Sequence, residues 1–95
     1  MDCDELVFSG HAIQQMFARG IRTGAVRRVI EGGEVIADYP DDLPFPSCLV
    51  LGWVEGRPLH VVVARDAARR RCYVVTAYIP DPLLWEADFK TRRKP

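Results

Sequence analysis

Residues 47–65 read Ser47-Cys48-Leu49-Val50-Leu51-Gly52-Trp53-Val54-Glu55-Gly56-Arg57-Pro58-Leu59-His60-Val61-Val62-Val63-Ala64-Arg65. Two apolar, β-branched runs flank a short Glu-Gly-Arg-Pro segment, the signature of a hairpin: strands over 47–54 and 59–65 with a turn at 55–58. Outward from the hairpin, 66–70 is a polar turn and 71–79 a third strand, stopped by Pro80 and Pro82. Upstream, 34–39 is a short strand candidate, separated from the hairpin by the turn-rich loop 40–46. Connections this short predict an antiparallel meander.

Two helices precede the strands. Ser9 suits the N-cap of a helix over 10–19, whose apolar stripe is Ala12, Ile13, Met16 and Phe17. His11, Gln15 and Arg19, four residues apart, align along its flank. Gly20 ends it. Thr23 is the expected N-cap of a second helix over 24–31, with Val26, Val29 and Ile30 on its buried side and Gly32-Gly33 as its stop. Pro82 opens an expected last short helix through Leu83, Leu84, Trp85 and Phe89. The predicted fold is therefore α+β: two N-terminal helices, a mostly antiparallel three- to four-stranded sheet and a short C-terminal helix.

A length of 95 residues predicts one domain over 1–95, with an ordered core at about 6–90 and a loose basic tail over 90–95. No apolar run reaches the roughly 18 residues that a membrane span needs. The acidic start, with Asp2, Asp4 and Glu5, does not read as a signal peptide, so the expected setting is the cytoplasm with no membrane partner. Cys3, Cys48 and Cys72 are odd in number and lack CxxC spacing, which predicts neither a disulfide framework nor a zinc site. Cys48 and Cys72 lie in apolar runs and read as core residues; Cys3 reads as an exposed thiol. Charge is unevenly spread: residues 1–64 carry five basic and nine acidic groups, and residues 65–95 eight basic and four acidic. The basic third suits either phosphate contact or a solvated surface.

The sequence holds no phosphate-cradling glycine loop, nucleophile elbow or HExxH motif. With two histidines, no metal site is expected. His60, inside an apolar strand, is either a hydrogen-bonded face residue or a general acid/base. His11 is either a helix-start packing residue or a group that orients and shares protons. Odd spacing puts Tyr73 and Tyr78 on opposite faces of one strand. Thr76 shares a face with Tyr78, and His60 joins them only if the sheet register has the right parity. Trp85 is either a plug on the sheet or a base-stacking platform.

Several blocks recur in order: Phe8-Ser9-Gly10-His11-Ala12, Met16-Phe17-Ala18-Arg19-Gly20-Ile21, Gly33 to Asp42, Pro46 to Gly52, Arg57 to Ala64, Thr76-Ala77-Tyr78-Ile79-Pro80-Asp81-Pro82, then Trp85-Glu86 and Arg92-Arg93. In this the chain resembles the domain of unknown function 4258 family over roughly residues 6–93. That family is usually grouped with the RelE-like toxins of bacterial toxin–antitoxin pairs. The resemblance implies a RelE-like fold and a metal-independent endoribonuclease that cuts mRNA, free or on the ribosome, needs no cofactor and pairs with a cognate antitoxin. His60, His11 and Tyr78 are then the catalytic candidates. Arg19, Lys90, Arg92 and Trp85 are the substrate-binding candidates. Family members often carry arginine before the methionine of the first helix, where this chain has Gln15. The alternative is a non-catalytic interaction module of the same fold, whose sheet face binds an antitoxin or a second copy as a homodimer.

Overall fold

A computed structural model describes residues 1–94. In chain order the elements are β1 (Glu5–Phe8), α1 (Gly10–Ala18), α2 (Thr23–Gly32), β2 (Glu34–Tyr39), β3 (Ser47–Val54), β4 (Arg57–Asp66) and β5 (Arg71–Tyr78). Ser9 is extended at the head of α1, and its side chain accepts a hydrogen bond from the Ala12 amide. Replacing such a cap with alanine costs about 1 kcal/mol. Gly20, at φ 69°, turns the chain away after α1. α2 starts one residue earlier than expected: Arg22 is its N-cap, Thr23 is its first helical residue, and no side chain caps its amides.

The sheet has five strands in the order β1-β5-β4-β3-β2. β2 to β5 form the expected antiparallel meander. β1 adds a fifth strand, parallel to β5, so the sheet is mixed and the expectation of three to four mostly antiparallel strands is corrected. Four residues are too short to show an alternating pattern, and the partner of β1 lies more than sixty residues away. Among the described residues the expected C-terminal helix is also absent. From Asp81 the chain folds back on itself: the Asp81 carboxylate accepts from the Leu83 amide, Trp85 bridges Arg92, and the Glu86 and Arg93 amides donate to the Thr91 and Leu84 carbonyls. Leu83 is 81% exposed while Trp85 is buried, so these apolar residues form no helical stripe. Arg92 and Arg93 are engaged in this fold-back rather than loose; Pro95, the last residue of the expected tail, lies outside the described residues.

α1 and α2 cover one face of the sheet. Ala12, Met16, Val26, Val29 and Ile30 pack there against Val50, Leu59, Val61, Val63, Val74 and Ala77. Each fully buried valine of this set contributes about 1.5–3 kcal/mol. The opposite face carries Leu49, Leu51, His60 and Ala64, also buried, beneath the C-terminal fold-back and the 40–46 loop, whose Phe45 stacks on Tyr73.

A bulge in β5 sets the faces. Val62 pairs with Thr76 and Val63 with Val74, so Val75 has no partner. Facing therefore shifts by one residue there. Val74 and Ala77, three apart, both enter the helix-side core. Tyr73 pairs with Ala64 and Tyr78 with His60, so the two tyrosines share a face, contrary to the expectation from odd spacing.

Cys3 and Cys72 form a disulfide that ties the start of the chain to β5, and Cys48 is a free buried thiol. The expectation of an exposed Cys3 thiol and no disulfide is corrected; parallel pairing of β1 on β5 brings the two together, which spacing alone does not reveal.

Gly33 and Gly52 let α2 approach β3 closely. A Cβ on Gly52 would lie 2.7 Å from Val29 Cγ2, whereas one on Gly33 would meet the backbone oxygens of Val29 and Leu51. Backbone cannot yield as a side-chain tip does. Gly33→Ala is expected to destabilise the fold by about 2–3 kcal/mol, the upper end for overpacking, and Gly32→Ala, with open space around its Cβ, by well under that. Urea unfolding of the two variants checks this.

Candidate functional site

The residues singled out in the sequence fall into two separate groups. The first lies under the C-terminal fold-back. His60, on β4, is 0% exposed. Its Nε2 lies 2.7 Å from the Phe89 carbonyl and its Nδ1 3.3 Å from the Tyr78 hydroxyl. A carbonyl only accepts, so Nε2 carries the proton and donates, and Nδ1 accepts from Tyr78. Trp85 stands edge-on to the imidazole at 4.7 Å between centroids, and Arg92 lies over the Trp85 ring at 5.2 Å. Phe89 meets Trp53 edge-on, and Lys90 pairs with Glu34 at 3.3 Å. Trp85 thus plugs the second sheet face, and Lys90 and Arg92 fasten the segment that carries them.

Electrostatics agree with that geometry. Burial pulls the His60 imidazole below its usual 6.5, with the Phe89 bond working weakly the other way. Burial also raises the Tyr78 phenol, helped by Tyr39 and opposed by Arg92. Both groups are therefore neutral near pH 7, and the pair of hydrogen bonds holds the fold-back to the sheet.

The second group is open to solvent. Arg19, at the C-cap of α1, donates from Nη1 to the Ala77 carbonyl at 2.9 Å and to Thr76 Oγ1 at 3.2 Å. Thr76 Oγ1 donates to Gln15 Oε1 at 3.0 Å, and Gln15 Nε2 lies 3.0 Å from His11 Nε2. An amide nitrogen only donates, so His11 Nε2 accepts. The bonds thus run in one direction: Arg19 to Thr76 to Gln15 to His11. Helical spacing lines up the three α1 residues. Thr76 reaches them because β1 pairs with β5 only as far as Val74, leaving the last part of β5 without a neighbour on that side.

The structure thus gathers His60, Tyr78, Trp85 and Arg92 in one place and His11 with Arg19 in another, with no hydrogen bond between the two groups. Thr76 and Gln15 were not among the expected site residues. The i, i+4, i+8 spacing of His11, Gln15 and Arg19 was the available signal for Gln15; Thr76 had none without the register. Among the described residues no group of three or more His, Cys, Asp or Glu side chains is placed to hold a metal.

The lowered His60 value gives a pH dependence. At His60 the unfolded chain takes up a proton near pH 6.5 while the folded chain does not until lower pH, so stability falls as pH drops through about 6.5 toward the folded value. Wild type is expected to lose urea resistance between pH 7.5 and 5. His60→Gln is expected to start less stable and to show a shallower decline. Proton NMR titration of the wild-type imidazole reads the same shift directly; a midpoint at or above 6.5 contradicts it.

No curated protein and no solved structure matches the chain. Residues 8–79, well over half of its length, match the family described as Domain of unknown function (DUF4258). The chain therefore belongs to the DUF4258 family.

Proposed function

We propose that this protein is the RelE-like toxin of a bacterial toxin–antitoxin pair and cleaves mRNA without a metal, with His11 and Arg19 at the reacting phosphate. The observation that carries this is the exposed hydrogen-bond run from Arg19 through Thr76 and Gln15 to His11. It sets an imidazole and a guanidinium on one accessible surface, the two kinds of group that the reaction uses. The ribose 2′-oxygen attacks the adjacent phosphorus. The new P–O2′ bond forms as the P–O5′ bond breaks, leaving a 2′,3′-cyclic phosphate and a 5′-hydroxyl. His11 takes the 2′-proton at Nε2 once substrate displaces the Gln15 amide, Arg19 stabilises charge on the phosphoryl oxygens, and water protonates the leaving oxygen. Gln15 brings no charge where arginine is common in the family; Arg19, one turn on, supplies it. The working compartment is the cytoplasm. On this reading the Cys3–Cys72 pair, bonded in the structure, meets a setting in which thiols stay reduced.

A second reading, the non-catalytic interaction module, draws on a different observation. His60 is sealed with both ring nitrogens bonded, while β5 beyond Val74 has no neighbour on the β1 side and carries exposed Val75, with exposed Ile79 just past its end. Such an edge suits an added strand from an antitoxin or a second copy.

Purified protein incubated with single-stranded RNA in EDTA, with and without ribosomes, separates the two. The toxin reading expects cleavage that leaves cyclic phosphate ends, and a loss of at least about a hundredfold in His11→Ala. Absence of cleavage by folded wild type under both conditions sinks it and leaves the interaction module. Cleavage unchanged in His11→Ala removes the residue assignment.

A further inference from the structure

We propose that the cleft between the α1–α2 turn, the start of α2, the β3–β4 turn and the end of β5 binds the phosphate of a nucleotide, free or within an RNA strand. The cleft has a volume of about 620 Å³, within the range of small-molecule sites, roughly 300–1,000 Å³. Arg22, Arg28 and Arg57 line it from three different segments of the chain.

The concentration of charge is what points to an anion. Residues 1–64 hold nine acidic groups and five basic ones. Three of those five line this one cleft, with Glu55 the single acid among its walls. None of the three arginines takes part in the ion pairs of the described residues, which engage Arg69, Arg70, Arg71, Lys90 and Arg93 instead. Arg27, on the same helix as Arg28, lies over the Phe8 ring, so the neighbouring guanidinium is spent on packing while those at the cleft are not. Guanidiniums recognise phosphate oxygens by paired hydrogen bonds, which makes unpartnered arginines around a concavity suited to that group.

Two features of the walls add to this. The first turn of α2, over Thr23, Gly24 and Ala25, lines the same cleft, and no side chain caps it. The Thr23 and Gly24 amides and the positive end of the helix therefore border the cleft that the three arginines line, while the Ala25 amide donates to the Arg22 carbonyl. Ile21, Pro58, Leu59 and Ile79 supply an apolar wall, with Ile79 50% exposed. That wall suits a flat, weakly polar body attached to the phosphate, such as a nucleobase. Ile79 follows Ala77 and Tyr78 on the chain, so the cleft adjoins the carbonyl that Arg19 holds. The inference does not depend on the cleavage reading: phosphate binding here and catalysis at His11 fail separately.

Amide NMR titration of the full chain tests it with four probes: inorganic phosphate, adenosine 5′-monophosphate, adenosine and a short single-stranded RNA. The monophosphate is expected to shift the Thr23, Gly24 and Ala25 amides saturably, and adenosine is not. Inorganic phosphate moving the same amides more weakly supports the site; RNA moving them where the monophosphate does not makes the polymer backbone the source. The double variant Arg28→Gln/Arg57→Gln, changed only at exposed positions, is expected to bind at least about tenfold more weakly, the low end for loss of a charged hydrogen bond. Arg27→Gln, on the same helix but over the Phe8 ring, is expected to bind as wild type. The proposal is overturned if no phosphate-bearing probe moves those amides, or if the double variant binds as tightly as wild type.

Discussion

β4 is buried on both faces, and the rest of the molecule answers to that. Leu59, Val61 and Val63 point to one side and His60, Ala64 and Asp66 to the other, all with little or no exposure. A strand of this kind cannot leave either face in water. The helices cover one. The C-terminal fold-back and the 40–46 loop cover the other with Trp85, Phe89 and Phe45. A polar ring in the second layer has to find partners, and His60 finds two: a backbone carbonyl of the segment that covers it and the phenol beside it. His60 is thereby the point where the end of the chain is fastened to its centre. Asp66, at the far end of the strand, is satisfied in the same spirit by the Arg69 side chain and amide.

The same logic explains where chemistry remains available. Side chains drawn into a two-sided core are lost to solvent. The polar groups that stay reachable are those at the rim, where an element ends before its neighbour does. β1 stops at Phe8 while β5 continues, and into that gap α1 sends Arg19 and Gln15 to meet Thr76 and the Ala77 carbonyl. The bulge at Val75 helps, because it turns Ala77 into the helix-side core while Tyr78 stays beside His60. Two hydrogen-bonded groups thus sit on one strand, two residues apart, and face different surroundings.

Charge follows the topology rather than the sequence halves. The basic C-terminal third, read by itself, suggests a phosphate-binding tail. Folded, Lys90 pairs with Glu34, Arg93 with Glu86, and Arg92 lies over Trp85. Arg22, Arg28 and Arg57, which have no acidic partner among the described residues, come instead from the net-acidic part of the chain, where the turn between the helices and the β3–β4 hairpin line one cleft.

What the sequence by itself determined is local. The hairpin at 47–65, the third strand, the α1 cap at Ser9, the buried side of α2 and half of the α1 stripe follow from alternation, helical spacing and turn chemistry, all of which act over a few residues. Ala12 and Met16 are buried as expected, whereas Ile13 and Phe17, expected in the same stripe, are exposed, because α1 lies on the edge of the sheet and turns them to solvent. The i, i+4, i+8 alignment of His11, Gln15 and Arg19 belongs to the same class. Tertiary structure alone decided the rest. The parallel pairing of β1, and with it the Cys3–Cys72 bond, joins segments some seventy residues apart and leaves no local pattern. The bulge depends on how β5 pairs with β4, so strand parity could not place Tyr73 and Tyr78. Trp85 and its neighbours are apolar and follow a proline, which suits a helix start; they fold back instead because the second face of β4 needs a cover, and the burial of Trp85 and the bond to His60 outweigh helix propensity over so few residues.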